Sequence, residues 1–336
     1  MSLSSIQLDH GNGGTAGYQL IQQLFLPAFN NTILNKMDDC AQVNINNTRI
    51  AFSTDTFVVQ PIFFPGGNIG DLAINGTVND ISMSGAKPLY LSLGLVIEEG
   101  FSFDYLKTIV HSMQDAAKVA DVQVVTGDTK VMPAGMIDGI AINTSGIGII
   151  DPKIHISAEH ACVGDQIIIS GTIADHGITI LTQRENLMIE GDIQSDTAAL
   201  NGLVAQLIEK TNDIHVLRDP TRGGITAVLN EIALQSGVEI EVNESSIPIK
   251  PQIAACCDLL GLDPFSIANE GKLIAFVAEK DVDQILNVFK KHPLAQNAAV
   301  IGKVISKQNS VVYVRTSIGG RRILDMQVGD QLPRIC

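Results

Sequence analysis

A helix with a carboxylate on its apolar face constrains this chain more than any other stretch. From Ile69 onward, Ile69, Leu72, Ala73, Gly76 and Asp80 fall at i, i+3, i+4, i+7 and i+11, so one face carries both the packing residues and an aspartate. A charge on such a face is costly unless it is paired or bound to a cation. The rest of the fold must therefore bring Asp80 a partner.

Other stretches supply candidates. Residues 48–55 alternate like a strand and end on Asp55, with Asp38 and Asp39 just upstream beside Cys40. A second strand, predicted over 122–125, opens onto Thr126-Gly127-Asp128-Thr129-Lys130. Asp55, Asp80 and Asp128 can converge at one edge of a sheet, with Lys130 adding a positive charge for a phosphate. Hard oxygen ligands with few nitrogens suit Mg²⁺ rather than zinc. Taken singly, each aspartate is equally a turn or cap residue; the set points to a Mg-nucleotide site. His10-Gly11-Asn12-Gly13-Gly14 precedes a helical pattern with Leu20, Ile21, Leu24 and Phe25. It reads either as a simple turn or as a loop whose N–H groups receive phosphate oxygens, and its spacing is neither a Walker nor a dinucleotide fingerprint.

In the second half, an apolar run over 136–150 is broken by Asp151-Pro152, and a composition shift follows that places a domain boundary near residue 155. A buried strand over 166–170 and helices near 197–210, 224–235 and 281–291 then alternate to Asp325, an α+β or α/β pattern. The loop 217–224 contains Arg222 and two glycines before a helix, and it serves either as a capped Pro turn or as an anion site. Glu270 precedes Gly271 and a strand, where it is either an exposed turn residue or a general base.

Composition narrows the partners. With a net charge of −14, 4% aromatics and no Trp, the chain lacks the basic and stacking surface that nucleic acid requires. An acidic protein still binds a nucleotide when its carboxylates hold magnesium against the phosphates. Without a basic flank and apolar run at the N-terminus, or any stretch near the roughly 18 residues that span a bilayer, the expectation is a cytoplasmic protein with no membrane partner. The five cysteines, Cys40, Cys162, Cys256, Cys257 and Cys336, form no CxxC pair and fit neither a disulfide framework nor a zinc site. Four read as structural. Cys336 is the last residue, behind Pro333-Arg334-Ile335; an exposed terminal thiol is a liability, so it is either accidental or a carrier on a short arm.

Together, the glycine loop at 10–14, Asp38-Asp39-Cys40-Ala41, Phe52-Ser53-Thr54-Asp55, Phe63-Phe64-Pro65-Gly66-Gly67-Asn68-Ile69-Gly70, Asn79-Asp80, Thr126-Gly127-Asp128-Thr129-Lys130-Val131, Thr221-Arg222-Gly223-Gly224, Asn269-Glu270-Gly271-Lys272-Leu273 and Pro333-Arg334-Ile335-Cys336 closely resemble the HypE family. These are the carbamoyl dehydratases of NiFe-hydrogenase maturation, in the superfamily of aminoimidazole ribonucleotide synthetase, selenophosphate synthetase and thiamine-phosphate kinase. The resemblance covers essentially the whole chain in order, and Asn12 is a departure where Ser or Ala is expected.

The resemblance implies an α+β, two-domain fold of the aminoimidazole ribonucleotide synthetase type, each domain a mixed sheet packed with helices. Residues 1–155 would bind ATP and Mg²⁺ and form a homodimer, 156–325 would be the C-terminal α/β domain, and 326–336 a mobile tail. It implies that the carbamoyltransferase HypF loads a carbamoyl group on Cys336. ATP would then drive dehydration of that S-carboxamide to an S-cyanide, and the HypC–HypD complex would receive the cyanide. On this reading Asp39, Asp55, Asp80 and Asp128 hold Mg²⁺. Gly11, Asn12, Gly13, Gly14, Asn79, Gly127, Lys130 and Arg222 contact the nucleotide. Glu270 is the base, with Lys130 or His10 assisting. A small-molecule kinase of the same superfamily, and a carrier without ATPase activity, are the rival readings.

Overall fold

The computed structural model describes residues 5–187, 189 and 191–326; the tail beyond, with Cys336, lies outside the described residues. The chain enters through α1 (Thr15–Leu20) and α2 (Leu26–Phe29), joined by a π-helical turn over Ile21–Phe25. A hairpin of β1 (Ala41–Ile45) and β2 (Thr48–Phe57) follows, then a short ribbon of β3 (Phe63–Phe64) and β4 (Gly67–Asn68) that delivers the chain into α3 (Ile69–Ser82). Asn68 caps α3: its Oδ1 accepts the Gly70 N–H at 2.8 Å, while the Asp71 carboxylate accepts the Asn68 N–H at 3.0 Å.

Strand β5 (Lys87–Glu98), helix α4 (Phe103–Val119), β6 (Gln123–Met132) and β7 (Ile140–Ile150) complete the first domain. Its five-stranded sheet runs β1-β2-β7-β5-β6, antiparallel except for the β5/β6 pair. The period of two along β7 sorts the faces: Ile140, Ile142 and Thr144 are buried, while Ile147 and Ile149 are exposed. Phe52, Ile147 and Tyr90 stand in one register row across β2, β7 and β5, and all three are exposed.

One expectation fails here. Residues 126–130 are not a loop after a strand but the middle of β6, because β5 continues to Glu98 and pairs with β6 as far as Met132. Asp128 therefore lies along an exposed edge strand instead of at a strand terminus.

The second domain contains β8 (Gln166–Ile169), α5 (Asp175–Arg184), α6 (Asn201–Ile208), β9 (Ile214–Arg218), α7 (Gly224–Ser236), β10 (Glu239–Asn243), α8 (Pro251–Leu260), β11 (Ile274–Val277), α9 (Val282–Lys291), β12 (Ala299–Ser306), β13 (Val311–Arg315) and β14 (Arg321–Ile323). They build a seven-stranded mixed sheet in the order β14-β13-β10-β12-β8-β11-β9. Both faces are covered, so β8 is apolar from Ile167 to Ile169. Ile167 and Ile169 pack with Ile225, Leu229 and Ile232 of α7, whereas Ile168 joins Ile178, Leu203, Ile253 and Phe289 of the opposite helices. That second core is continuous with Leu72 and Ile81 of α3, which joins the domains. The helix expected from 197 begins at Asn201, because Thr197, Ala198 and Leu200 are hydrogen-bonded to Asn75 and Asn79 of α3 instead. No helix among the described residues is long and apolar enough to cross a membrane.

An ion pair at the start of β9 makes the second domain sensitive to pH. His215 Nδ1 lies 2.8 and 2.9 Å from the two oxygens of Asp165, which raises the His215 pKa by hydrogen bonding against the lowering effect of partial burial; Asp213 raises it further and Lys280 opposes. A raised folded-state pKa means that the stabilisation is fully present below the unfolded value of about 6.5 and is lost as pH rises through the folded value. Thermal melts are expected to lose roughly 1 kcal/mol or less of stability across that window, and a His215→Gln chain is expected to lack this loss.

Candidate active site

Strand β2, helix α3, the loop before β1, the ends of β9 and α7, and the turn before β11 converge on one cavity of about 530 Å³. Its polar end is lined by Asp38, Asp39, Asp55, Asp80, Asp219, Glu231 and Glu270, with Arg218, Arg222, His10, Gly11 and Gly13 among them. Tyr18, Ile21, Leu26, Ile33, Leu34 and Met37 form the apolar end.

Helix α3 places Asp80 here. Ser53 Oγ of β2 donates to Asp80 Oδ2 at 2.6 Å and also contacts the Asp39 carbonyl at 3.2 Å, so β2 and α3 fix that carboxylate together. Arg218, at the end of β9, is buried between two acids: its Nε lies 2.7 Å from Asp39 Oδ1 and its Nη2 2.6 Å from Glu231 Oε2. Asp39 Oδ2 is buried and makes no hydrogen bond among the described residues. Glu270 is 3% exposed, and its Oε1 likewise has no hydrogen-bond partner among the described residues.

These carboxylates crowd one another. Loss of hydration, then Asp219, Asp39 and Asp55, push the Asp80 pKa well above the usual carboxylate range. Burial raises Asp39 strongly although Arg218 opposes it, and it raises Asp55 against Arg222. Asp219 is pushed up to about 6 by burial. Glu270 rises well above its ordinary value through burial first, then through Asp196, Asp219 and Asp55. Arg218 already serves Asp39 and Glu231, so a bound cation would relieve the crowding among the remaining carboxyls. Oxygen-only donors with orphaned buried atoms fit Mg²⁺. Beside an apolar slot and a glycine loop, the arrangement accommodates a nucleotide with its base in the slot and its phosphates at the acidic end.

The glycine loop is held against the second domain. Arg222 Nη1 donates to the Gly11 carbonyl at 3.2 Å. Gly13 has φ +71°, and a Cβ added there would lie only 2.7 Å from the Arg222 carbonyl oxygen. Only glycine suits this approach.

Of the residues expected from sequence, His10, Gly11, Gly13, Asp39, Asp55, Asp80, Arg222 and Glu270 line the cavity; Asn12 and Gly14 are adjacent in the loop but do not. Gly127, Asp128 and Lys130 are not brought there within one chain. They sit on β6, where Asp128 and Lys130 are exposed and pair at 3.0 Å. Asn79 is also placed differently. It is 1% exposed, its Nδ2 donates to the Ala198 and Glu270 carbonyls at 3.0 and 3.2 Å, and its Oδ1 accepts the Leu200 N–H at 2.8 Å, so it clamps backbone instead of facing a ligand. Cys336 is outside the described residues.

Sequence reasoning missed Asp219, Arg218 and Glu231 as site residues. Asp219 directly follows β9, the position that the sequence pattern assigns to Asp55 relative to its strand. Arg218 and Glu231 carried none, because their pairing depends on α7 folding back onto β9.

The family model for the AIR synthase related protein N-terminal domain matches residues 37–150, and that for the C-terminal domain matches 163–315. The chain is 50% identical over 332 residues to the carbamoyl dehydratase HypE of Bradyrhizobium diazoefficiens, covering 98% of this chain and 96% of that protein. A crystal structure of a HypE–HypF complex superposes with a TM-score of 0.88 at 44% identity, over 92% of this chain and 99% of the other. A HypE structure in complex with ATP gives a TM-score of 0.84 at 47% identity, over 99% and 100%.

Proposed function

We infer a division of labour from one premise: this chain belongs to the HypE family of carbamoyl dehydratases, within the AIR synthase related proteins. It is an ATP-dependent enzyme of hydrogenase maturation that dehydrates a carbamoyl group. The observation that carries the detailed reading is the cavity itself, in which an apolar slot, a glycine loop and a crowded carboxylate cluster adjoin the unpartnered Glu270.

An amide oxygen is a poor leaving group until it is phosphorylated. HypF, found with HypE in a solved complex, loads a carbamoyl group on Cys336 Sγ. The carbamoyl oxygen attacks the γ-phosphorus of ATP and ADP departs. Glu270 takes a proton from nitrogen as the carbon–oxygen bond breaks; phosphate leaves and S–C≡N remains on the thiol. Both amide protons leave as protons, and the amide oxygen leaves in phosphate. Asp39, Asp55, Asp80 and Asp219 would hold Mg²⁺, which neutralises phosphate charge in a transfer governed by positioning and electrostatics. His10 and the Gly11–Gly14 amides would face the phosphates, with Arg222 beside them. Cys336, which lies outside the described residues, would take an outer position for loading and an inner one for dehydration. The HypC–HypD complex would accept the cyanide, and the reaction would take place in the cytoplasm.

The exposed row of Phe52, Tyr90 and Ile147 supports a homodimer built on the first sheet, since a contiguous apolar patch on such a face is costly to leave in water. In that dimer β6 would carry the partner's Asp128 and the partner's Lys130 to a cavity they do not reach within one chain. Mixing Asp128→Ala chains with Asp80→Asn chains is then expected to restore about a quarter of wild-type activity, through the heterodimer's one intact site. No gain over either variant alone would contradict the shared site.

The reaction itself is tested by loading the full chain through the carbamoyl donor system, adding Mg-ATP and following the mass of the C-terminal peptide. The expected result is carbamoylation of Cys336 followed by loss of one water only with ATP. An adduct that persists while ATP is consumed would turn the reading toward a small-molecule kinase.

A further inference from the structure

The segment between α5 and α6, partly helical by its sequence pattern, forms a strap without regular secondary structure over residues 194–200 in the described structure. It is stitched to α3, the helix that carries Asp80: Asn75 Nδ2 donates to Thr197 Oγ1 at 3.2 Å, and Asn79 bonds the Ala198 carbonyl and the Leu200 N–H. At its centre Asp196 turns toward the second domain. Asp196 Oδ1 accepts the Glu270 N–H at 3.1 Å, and Oδ2 accepts both the Gly271 N–H at 3.2 Å and Lys272 Nζ at 3.1 Å.

This carboxylate is fully engaged, with its side chain 4% exposed and that of Lys272 10% exposed. Burial pushes its pKa up, but Lys272, His176 and the Glu270 N–H outweigh that and hold it below the usual carboxylate range, so Asp196 is an anion. The approach is close enough that a Cβ on Gly271 would overlap the Asp196 carbonyl oxygen. The Glu270 backbone is thus gripped on both sides, its N–H by Asp196 and its C=O by Asn79, while its own Oε1 has no partner among the described residues. Ordinary turn chemistry needs no such apparatus. Two buried polar side chains and a buried lysine fix the peptide of one glutamate whose carboxyl makes no use of them.

We propose that Asp196, held by Lys272 and carried on a strap tied to the Asp80 helix, is a positioning residue that sets the Glu270 carboxyl at the reacting nitrogen. The inference rests on the reading of Glu270 as the proton acceptor. It adds that the distance between the cation cluster and the base is fixed by α3 through the strap, so that phosphoryl transfer and proton removal act on one substrate position.

The test uses full-length chain carbamoylated on Cys336, with single-turnover conversion to S-cyanide followed by mass and ATP affinity measured in parallel. Asp196→Asn keeps the size of the side chain but removes the charge and one acceptor. A misplacement near 1 Å costs about 100-fold, so the expected result is a conversion rate roughly 10- to 100-fold slower, with ATP affinity within about threefold and a cooperative melt retained. Because Asp196 acts through Glu270, adding Asp196→Asn to Glu270→Gln is expected to slow the reaction no further. Lys272→Met, which leaves both backbone contacts to Asp196 in place, is read the same way if Asp196→Asn does not fold. A wild-type rate in folded Asp196→Asn, or losses that multiply in the double variant, would overturn the positioning role while leaving Glu270 as the base. A wild-type rate in Glu270→Gln would overturn both.

Discussion

A Cys336→Ala chain is expected to bind Mg-ATP with unchanged affinity and to form no S-cyanide at all. Elimination among the thiols supports this as much as position does. Cys40 is 5% exposed, and burial raises its pKa far above the range in which a thiolate forms. Cys257 is pushed up to about 12 by burial, and Cys256, 3% exposed, is raised by the same cause. A nucleophilic thiol needs access and thiolate character, so none of these three can carry a group between proteins. Cys162 is exposed, but it sits in the turn before β8 and does not line the cavity. A Cys162→Ala chain is therefore expected to retain full activity. Loss of activity in Cys162→Ala with retention in Cys336→Ala would reverse the assignment. The readout is the mass of every cysteine-containing peptide after loading and after ATP.

An Asp80→Asn chain is expected to lose activity by about 100- to 1,000-fold, the several kcal/mol that a cation bound at the phosphates supplies to phosphoryl transfer, and yet to be no less stable without Mg²⁺. Asp80 is half-buried among Asp219, Asp39 and Asp55, each of which works against its ionisation. Without a cation that arrangement is a cost to the fold, and an amide keeps the shape and still accepts from Ser53 Oγ. Thermal melts separate the two effects. Wild type should gain stability from Mg-ATP by mass action, while Asp80→Asn should begin at least as high and gain little. A variant that melts lower without Mg²⁺ and still turns over would show that Asp80 is a structural partner and not a ligand.

The reach of sequence reasoning differed between particular residues. The periodicity of α3 and of the strand that carries Asp55 was visible, because burial on one face leaves a pattern of 3.6 or 2 in the side chains, although β2 runs on past Asp55 to Phe57. These two elements already define the acidic end of the cavity. Asp128 carried the same local signature as Asp55, but whether a strand stops after Val125 depends on how far β5 offers it hydrogen-bond partners, and β5 offers them to Glu98. Asn79 looked like a ligand because it precedes Asp80, yet one helical step of about 100° turns it from the cavity toward the strap. The Arg218 pairs and the Asp196 clamp join residues distant in sequence, and nothing in local spacing announces them. Chemistry at Cys336 rests on the family's motifs, since the residue lies outside the described residues.

The central claim is that ATP removes the amide oxygen by phosphorylating it, and an oxygen label follows that atom. Cys336 is loaded from a carbamoyl donor bearing ¹⁸O at the carbonyl, Mg-ATP is added in unlabelled water, and the phosphate and S-cyanide formed in a single turnover are weighed. The account predicts one ¹⁸O in inorganic phosphate for each S-cyanide produced. Label recovered in water, with unlabelled phosphate, would contradict it.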